Sequence, residues 1–209
     1  DKYKGIQIVR VPIFPRKNNK FTLIINYLSF LFNSIIFGYF KLRKRNFDII
    51  FTCQLSPVTV GITSAFFSYI NKCPNVLWVL DLWPHTLVAL NIIKRVWQIN
   101  LLKLLVNWIY SYCDVILAQS KGILSEIRKY SSIPKSTYYF PSWAESNLFQ
   151  QKTTLAPEII NKKIFNILFA GNIGEAQDFP TILKAVENLS KDTPVRLYII
   201  GEGRKLDWV

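Results

Sequence analysis

The chain has 209 residues, half of them apolar, a formal charge of +13, three cysteines and one histidine. That length buries one sizeable core, or one domain and part of another, and a lone histidine without a Cys-x-x-Cys pair argues against a zinc site. The charge is lopsided: residues 1–150 hold 18 Lys/Arg against 6 Asp/Glu, and residues 151–209 hold 8 against 7, which points to an anionic partner on one side only.

Taken in chain order, Gly5–Phe14 is strand-like, and 20–45 is helical. Residues 21–40 carry no charge and are long enough to span a bilayer, with Lys41, Arg43, Lys44 and Arg45 as a positive flank. Asn26, Ser29 and Asn33 nevertheless form a narrow polar stripe on that helix. A buried or interfacial helix of a soluble domain, a monotopic anchor and a true span all stay open. A strand follows over 47–53, a helix over Pro57–Asn71, and a strand over Asn75–Leu80. Ile93–Tyr112 reads as an amphipathic helix, Asp114–Gln119 as a strand, Ser120–Tyr130 as a helix and Ser136–Phe140 as a strand. Strands rich in Val, Ile and Leu alternating with helices imply an α/β fold with a parallel sheet covered on both faces. Residues 151–163 read as a polar linker, dividing a first domain (1–150) from a second unit (164–209).

That second unit opens on the most informative stretch. Phe165-Asn166-Ile167-Leu168-Phe169-Ala170 reads as a buried strand, Gly171-Asn172-Ile173-Gly174 as a tight turn, and Phe179, Ile182, Leu183, Val186 and Leu189 recur at helical spacing. Asp178 is placed to cap that helix, and Pro180 is tolerated in its first turn. Val195–Ile200 then ends in Gly201-Glu202-Gly203. This is a βαβ unit whose glycine turn and helix N-terminus form the hardware for holding a phosphate. Cys53, Cys73 and Cys113 lie in or beside apolar runs and read as reduced thiols. The first residues carry no visible secretory signal. The start at Asp1 and the lack of any methionine lead to the expectation of an excerpt from a longer protein.

Several segments resemble family 4 glycosyltransferases of GT-B architecture, in particular the WbuB-like subgroup. They are Gly5-Ile6-Gln7-Ile8-Val9-Arg10-Val11-Pro12, Ser56-Pro57, Asp81-Leu82-Trp83-Pro84, Asp114-Val115-Ile116-Leu117-Ala118-Gln119-Ser120, Phe140-Pro141-Ser142-Trp143 and Gly171-Asn172-Ile173-Gly174-Glu175-Ala176-Gln177. Their order covers nearly the whole chain. The resemblance implies two Rossmann-like doubly wound domains, the second only partly present. It also implies retaining transfer of a sugar from a nucleotide-diphosphate sugar to a lipid-linked or polysaccharide acceptor. No metal or other cofactor is expected, and the location implied is the inner face of a bacterial plasma membrane, in peripheral contact with anionic lipid.

Carried onto this chain, the resemblance makes Asp81 a candidate base or acceptor-positioning carboxylate, with helix capping as its competing role. His85 is a possible stand-in for the histidine that many members carry just before that Asp, where this chain has Leu80. Trp83 and Ser120 fall on the acceptor side. Trp83 would stack on a sugar or pack as a lid, and Ser120 most simply caps a helix. Gly171, Asn172, Gly174, Gln177, Gly201 and Gly203 would line the donor site. Asn172 and Gln177 stand where most members carry Arg and Lys, which removes two positive charges from the diphosphate. An early glycine turn and a Glu-x7-Glu pair of the family are missing from these residues, so the chain is expected to be inactive by itself. A non-catalytic membrane-associated protein on a remnant fold is the alternative. A nucleic-acid partner is not expected, because the basic cluster at 41–45 lacks interleaved aromatics and no binding motif is present.

Overall fold

Runs of β-branched and aromatic residues alternate with helical segments, and the computed structural model follows that alternation over residues 2–16, 20–130, 136–146 and 163–209. In chain order it contains β1 (Lys2–Tyr3), β2 (Ile6–Gln7), α1 (Lys20–Leu42), β3 (Ile50–Gln54), α2 (Val60–Asn71), β4 (Asn75–Val79), α3 (His85–Ala89), α4 (Val96–Ser111), β5 (Val115–Ala118), α5 (Lys121–Ile127), β6 (Ser136–Tyr139), β7 (Phe165–Ala170), a 3₁₀ turn (Glu175–Gln177), α6 (Phe179–Leu189) and β8 (Val195–Ile200). These elements divide into two units, Asp1–Trp143 and Ala144–Val209. The linker read at 151–163 lies outside the described residues except for Lys163.

In the first unit the sheet runs β3-β4-β5-β6, all parallel, with Cys53 beside Trp78, Trp78 beside Leu117 and Leu117 beside Tyr138. Right-handed crossovers between strands laid down in one direction place α2, α4 and α5 on the same face. There Leu77, Val79, Ile116 and Ala118 meet Val106, Ile109, Tyr110 and Ile127 in the core. Gly61 of α2 permits this layer to close, because a Cβ at that position would collide with Cγ2 of Ile109 in α4. Cover of both faces by helices was the expectation. Among the described residues the second face instead carries aromatic side chains: Trp143 stacks on Trp78 at 5.5 Å, Phe140 meets the same ring edge-on, and Phe51 and Tyr138 are exposed. At the amino end of β4, buried Asn75 ties three elements together. It donates to Tyr112 O at 2.8 Å, accepts from Ser64 of α2, and its N–H reaches Asp114 at 2.7 Å.

The strand expected over Gly5–Phe14 is a short antiparallel hairpin, β1–β2, turned by the positive φ of Lys4 and Gly5. Beyond Gln7 the backbone finds its partners on α1 instead of in a sheet. Phe14 N–H donates to Ser29 Oγ at 2.9 Å, Asn26 Nδ2 to Phe14 O at 2.5 Å, Asn33 Nδ2 to Pro12 O at 2.7 Å and Lys41 Nζ to Arg10 O at 2.8 Å. The polar stripe of α1 is therefore a seat for residues 10–14. Another side of α1 packs on α2, where Ser34 and Thr63 hydroxyls lie 2.8 Å apart and Gly38 leaves room for Phe67.

The second unit pairs β7 with β8 in parallel, from Phe165 beside Val195 to Ala170 beside Ile200. β7 was read as a buried strand, yet Phe165 and Leu168 are 64% and 63% exposed. With one helix and two strands described, only one face is covered. The anchors are Ile173 and Phe179, each 1% exposed, with Phe169 edge-on to Phe179 at 5.0 Å. Asp178 stands at the N-cap position of α6 but in a left-handed conformation (φ 48°). Its carboxylate accepts from the Thr181 hydroxyl at 2.6 Å instead of from a backbone N–H, which corrects the expected cap.

Candidate functional site

Parallel α/β sheets present their ligand-binding loops at the carboxyl ends of the strands, and Asp81, Trp83 and Ser120 of the first unit gather there. Leu80 N–H bonds Gln54 O at 3.0 Å, so the chain leaving β4 is held against the end of β3. Gln54 is fully buried; its Nε2 donates to Leu55 O (2.7 Å) and Asp81 O (2.9 Å), while its Oε1 has no partner among the described residues. The Asp81 carboxylate accepts the Thr86 hydroxyl at 2.5 Å on one oxygen and the Trp83 indole N–H at 3.2 Å on the other. The same indole N–H lies 3.3 Å from Ser56 Oγ, and Tyr130 OH donates to Trp83 O at 3.2 Å.

Trp83 is 8% exposed and belongs to the core. Its ring packs inward, with little of its surface open to solvent. Ser120 accepts from Ile123 N–H at 3.1 Å and caps α5, and its neighbour Gln119 donates to Ser142 Oγ at 3.1 Å. The four strand ends thus bring Ser56, Asp81, Ser120 and Ser142 to one edge of the sheet.

His85 points elsewhere. It opens α3, and its Nε2 lies 3.6 Å from Glu126 Oε2. With Asn100, Lys103, Asn107, Glu126, Lys129 and Tyr130 it lines a cavity of about 680 Å³ beside α4 and α5. Glu126 also takes Lys129 Nζ at 2.5 Å, and that hydrogen bond, with the charges of Lys129 and His85, holds its carboxyl below the usual value. The structure therefore gives His85 a carboxylate partner in Glu126.

In the second unit the glycine turn and the end of β8 run together beyond the strands. Gly171 N–H donates to Ile200 O at 2.9 Å and Ile173 N–H to Glu202 O at 2.7 Å. This approach requires glycine at 201 and 203: both have φ near +157°, and a Cβ on either would strike the carbonyl of Gly171 or Ile173. Gly174 N–H donates to Gln177 Oε1 at 3.1 Å, and Asn172 lies over Gly174. Sequence reasoning gave these amides to a phosphate; those of Gly171, Ile173 and Gly174 are committed within the chain.

The structure adds a cation that sequence reasoning missed. Lys205 N–H bonds Ile173 O at 3.0 Å, and Nζ lies 3.2 Å from Glu175 on the 3₁₀ turn. Gly174, Glu175, Asp178, Phe179, Pro180, Lys205 and Trp208 line a cavity of about 240 Å³. Spacing could not show this contact, since 30 residues separate Glu175 from Lys205; only the run Gly203-Arg204-Lys205 after the second strand hinted at it.

No protein-family model matches the chain. Among curated proteins, a probable glycosyltransferase, WbjE of Pseudomonas aeruginosa, is 28% identical over 205 residues, 94% of this chain. The chain is similar to bacterial glycosyltransferases. A putative colanic acid biosynthesis glycosyl transferase, WcaI of Escherichia coli strain K12, is likewise 28% identical, over 98 residues and 43% of the chain. The chain spans 50% of the length of the first relative, and the match to the second spans 23% of that protein. The mixed α/β fold, with its four-stranded parallel sheet flanked by helices, is consistent with a Rossmann-like GT-B domain in such an enzyme.

Proposed function

We propose that the chain serves a retaining glycosyl transfer of the family 4, WbuB-like kind. A hexosyl or N-acetylaminosugar unit would pass from a nucleotide-diphosphate sugar to a lipid-linked or polysaccharide acceptor in bacterial surface polysaccharide synthesis. The observation that carries this reading is similarity to a glycosyltransferase along 94% of the chain, on a fold whose second unit holds the glycine turn beside a cation. On this reading the diphosphate would take Lys205 from its ion pair with Glu175, and the lysine would supply charge that Asn172 and Gln177 do not. As the donor's glycosidic bond breaks, its diphosphate gains negative charge. A lysine and the turn's dipoles stabilise that charge more than they stabilise the intact donor, which is how binding becomes catalysis. Asp81, held by Thr86 and Trp83, would orient an acceptor hydroxyl at the carboxyl edge of the first sheet. The basic 1–150 region favours a polyprenyl-diphosphate acceptor at an anionic cytoplasmic membrane face.

A second reading, a non-catalytic membrane-associated protein on the same fold, is favoured by two findings. The amides of Gly171, Ile173 and Gly174 already donate within the chain, and each carboxylate oxygen of Asp81 already accepts a hydrogen bond. Calorimetry with nucleoside diphosphates and their sugars separates the two. The transferase reading expects binding that Lys205→Gln weakens by roughly tenfold, the loss of one charge-assisted contact. No binding of any nucleotide sugar would remove the donor site and leave the second reading.

A further inference from the structure

Phe21, Ile24, Leu28, Phe32, Ile36 and Phe40 recur every three or four residues along α1, and all are 45–71% exposed. Successive members of this series turn only slowly around the helix, so they form one continuous apolar stripe. Over 20 residues at about 1.5 Å each the stripe is roughly 30 Å long. Soluble proteins seldom leave so extended an apolar surface open to water.

Among the described residues, the stripe occupies the part of α1 that no other element covers. One flank holds residues 10–14 through Asn26, Ser29, Asn33 and Lys41, and another packs on α2 through Ser34 and Gly38. At its carboxyl end the stripe runs into Lys41, Arg43, Lys44 and Arg45, all exposed, with the Arg43 guanidinium 5.7 Å from the centre of the Phe40 ring. An apolar face ending in a row of cations complements the acyl–headgroup boundary of an anionic bilayer.

Phe21–Leu42 is also long and apolar enough to cross a membrane. Its attachments oppose that use. A spanning α1 would draw into hydrocarbon the backbone of residues 8–16, which forms no helix or strand, and unmet backbone groups are costly there. A helix lying in the plane of the interface keeps the 10–14 segment and α2 on its water side.

We propose that α1 is an in-plane docking helix for an anionic phospholipid surface, its Phe21–Phe40 stripe entering the acyl boundary while Arg43, Lys44 and Arg45 contact lipid phosphates. This deepens the membrane contact of the proposed function and rests on that part of it, but needs no transfer activity. The test is co-sedimentation of the whole chain with phosphatidylcholine vesicles, with and without about 30% phosphatidylglycerol, a content that gives the surface its negative potential. Expected are binding to the anionic vesicles that weakens with added salt, and a loss of roughly tenfold or more in both Phe32→Glu/Ile36→Glu and Arg43→Gln/Lys44→Gln/Arg45→Gln. Circular dichroism and melting should be unchanged; if the glutamates disturb folding, Phe32→Ser/Ile36→Ser replaces them. Vesicle binding that both variants retain overturns the assignment to α1 while leaving a membrane contact elsewhere. No vesicle binding at all overturns the membrane part of the proposed function as well, and nucleotide binding would be untouched. Resistance to carbonate extraction would mean a span, and lipid-free self-association abolished by Phe32→Glu/Ile36→Glu would mean an interface between copies; either overturns the proposal.

Discussion

Both oxygens of Asp81 are engaged, one by the Thr86 hydroxyl and one by the Trp83 indole, so this carboxylate braces its own loop whatever else it does. A half-buried hydrogen bond of this kind contributes about 1 kcal/mol net. Thr86→Val keeps the shape and removes the donor, and should lower stability by about that amount in urea unfolding; no change in midpoint would show that the brace is idle. Cys113 behaves differently. Burial first, and then the charge of Asp114, push its thiol from 9.0 up to about 12. Above pH 9 the unfolded chain loses this proton while the folded chain keeps it, so stability falls as pH rises toward 12. Tyr130, raised from 10.0 to about 12 by burial and by Glu126, adds to the fall above pH 10. Cys113→Ala should make the decline between pH 9 and pH 11 shallower by up to about 1.4 kcal/mol per pH unit, measured from unfolding midpoints across that range. Exposed Cys53 offers the contrast: it should react with a thiol reagent in the native protein, and Cys113 only after unfolding.

At the scale of elements, small residues decide which helices meet. Gly61 lies against Ile109, and a methyl group there forces α2 from α4. Gly61→Ala improves helix propensity by about 1 kcal/mol, yet overpacking of this kind costs about 1–3 kcal/mol. Net destabilisation is the expected outcome, and combining it with Ile109→Ala should cost less than the two changes added, a coupling that a double-mutant cycle reads directly. The helix expected over 20–45, found over 20–42, and the strands from β3 onward were legible because periodicity is local. What α1 does with its polar stripe was not: Asn26, Ser29 and Asn33 are the same letters whether they face headgroups, a core or a strap. Only the path of residues 10–14 chose among those. Similarly, Gly201 and Gly203 were read as donor-site residues, and the backbone shows that each is first of all a site of close approach between two loops.

For the whole molecule, the two units differ in how much they bury. β4 is buried along its whole length between neighbouring strands, whereas among the described residues β7 and β8 form a two-stranded sheet with an open face. Short sheets of that size are marginal without further cover. Native-state hydrogen exchange should therefore find the β7 and β8 amides opening at least about tenfold faster than those of β4 and β5. Equal protection would mean that the second unit gains stability from a source other than its own core.

The sequence by itself determined the alternation of strands and helices, the parallel α/β class, the βαβ turn at Gly171 and the likeness to glycosyltransferases. All of these rest on periodicity, glycine placement and motif order, which a linear text records. Tertiary structure alone decided that Trp83 is core, that His85 joins Glu126, that Lys205 stands beside the glycine turn, and that an apolar stripe of α1 is left facing solvent. Those outcomes depend on which side chains, distant in sequence, are brought within a few ångströms, and no local pattern encodes that distance.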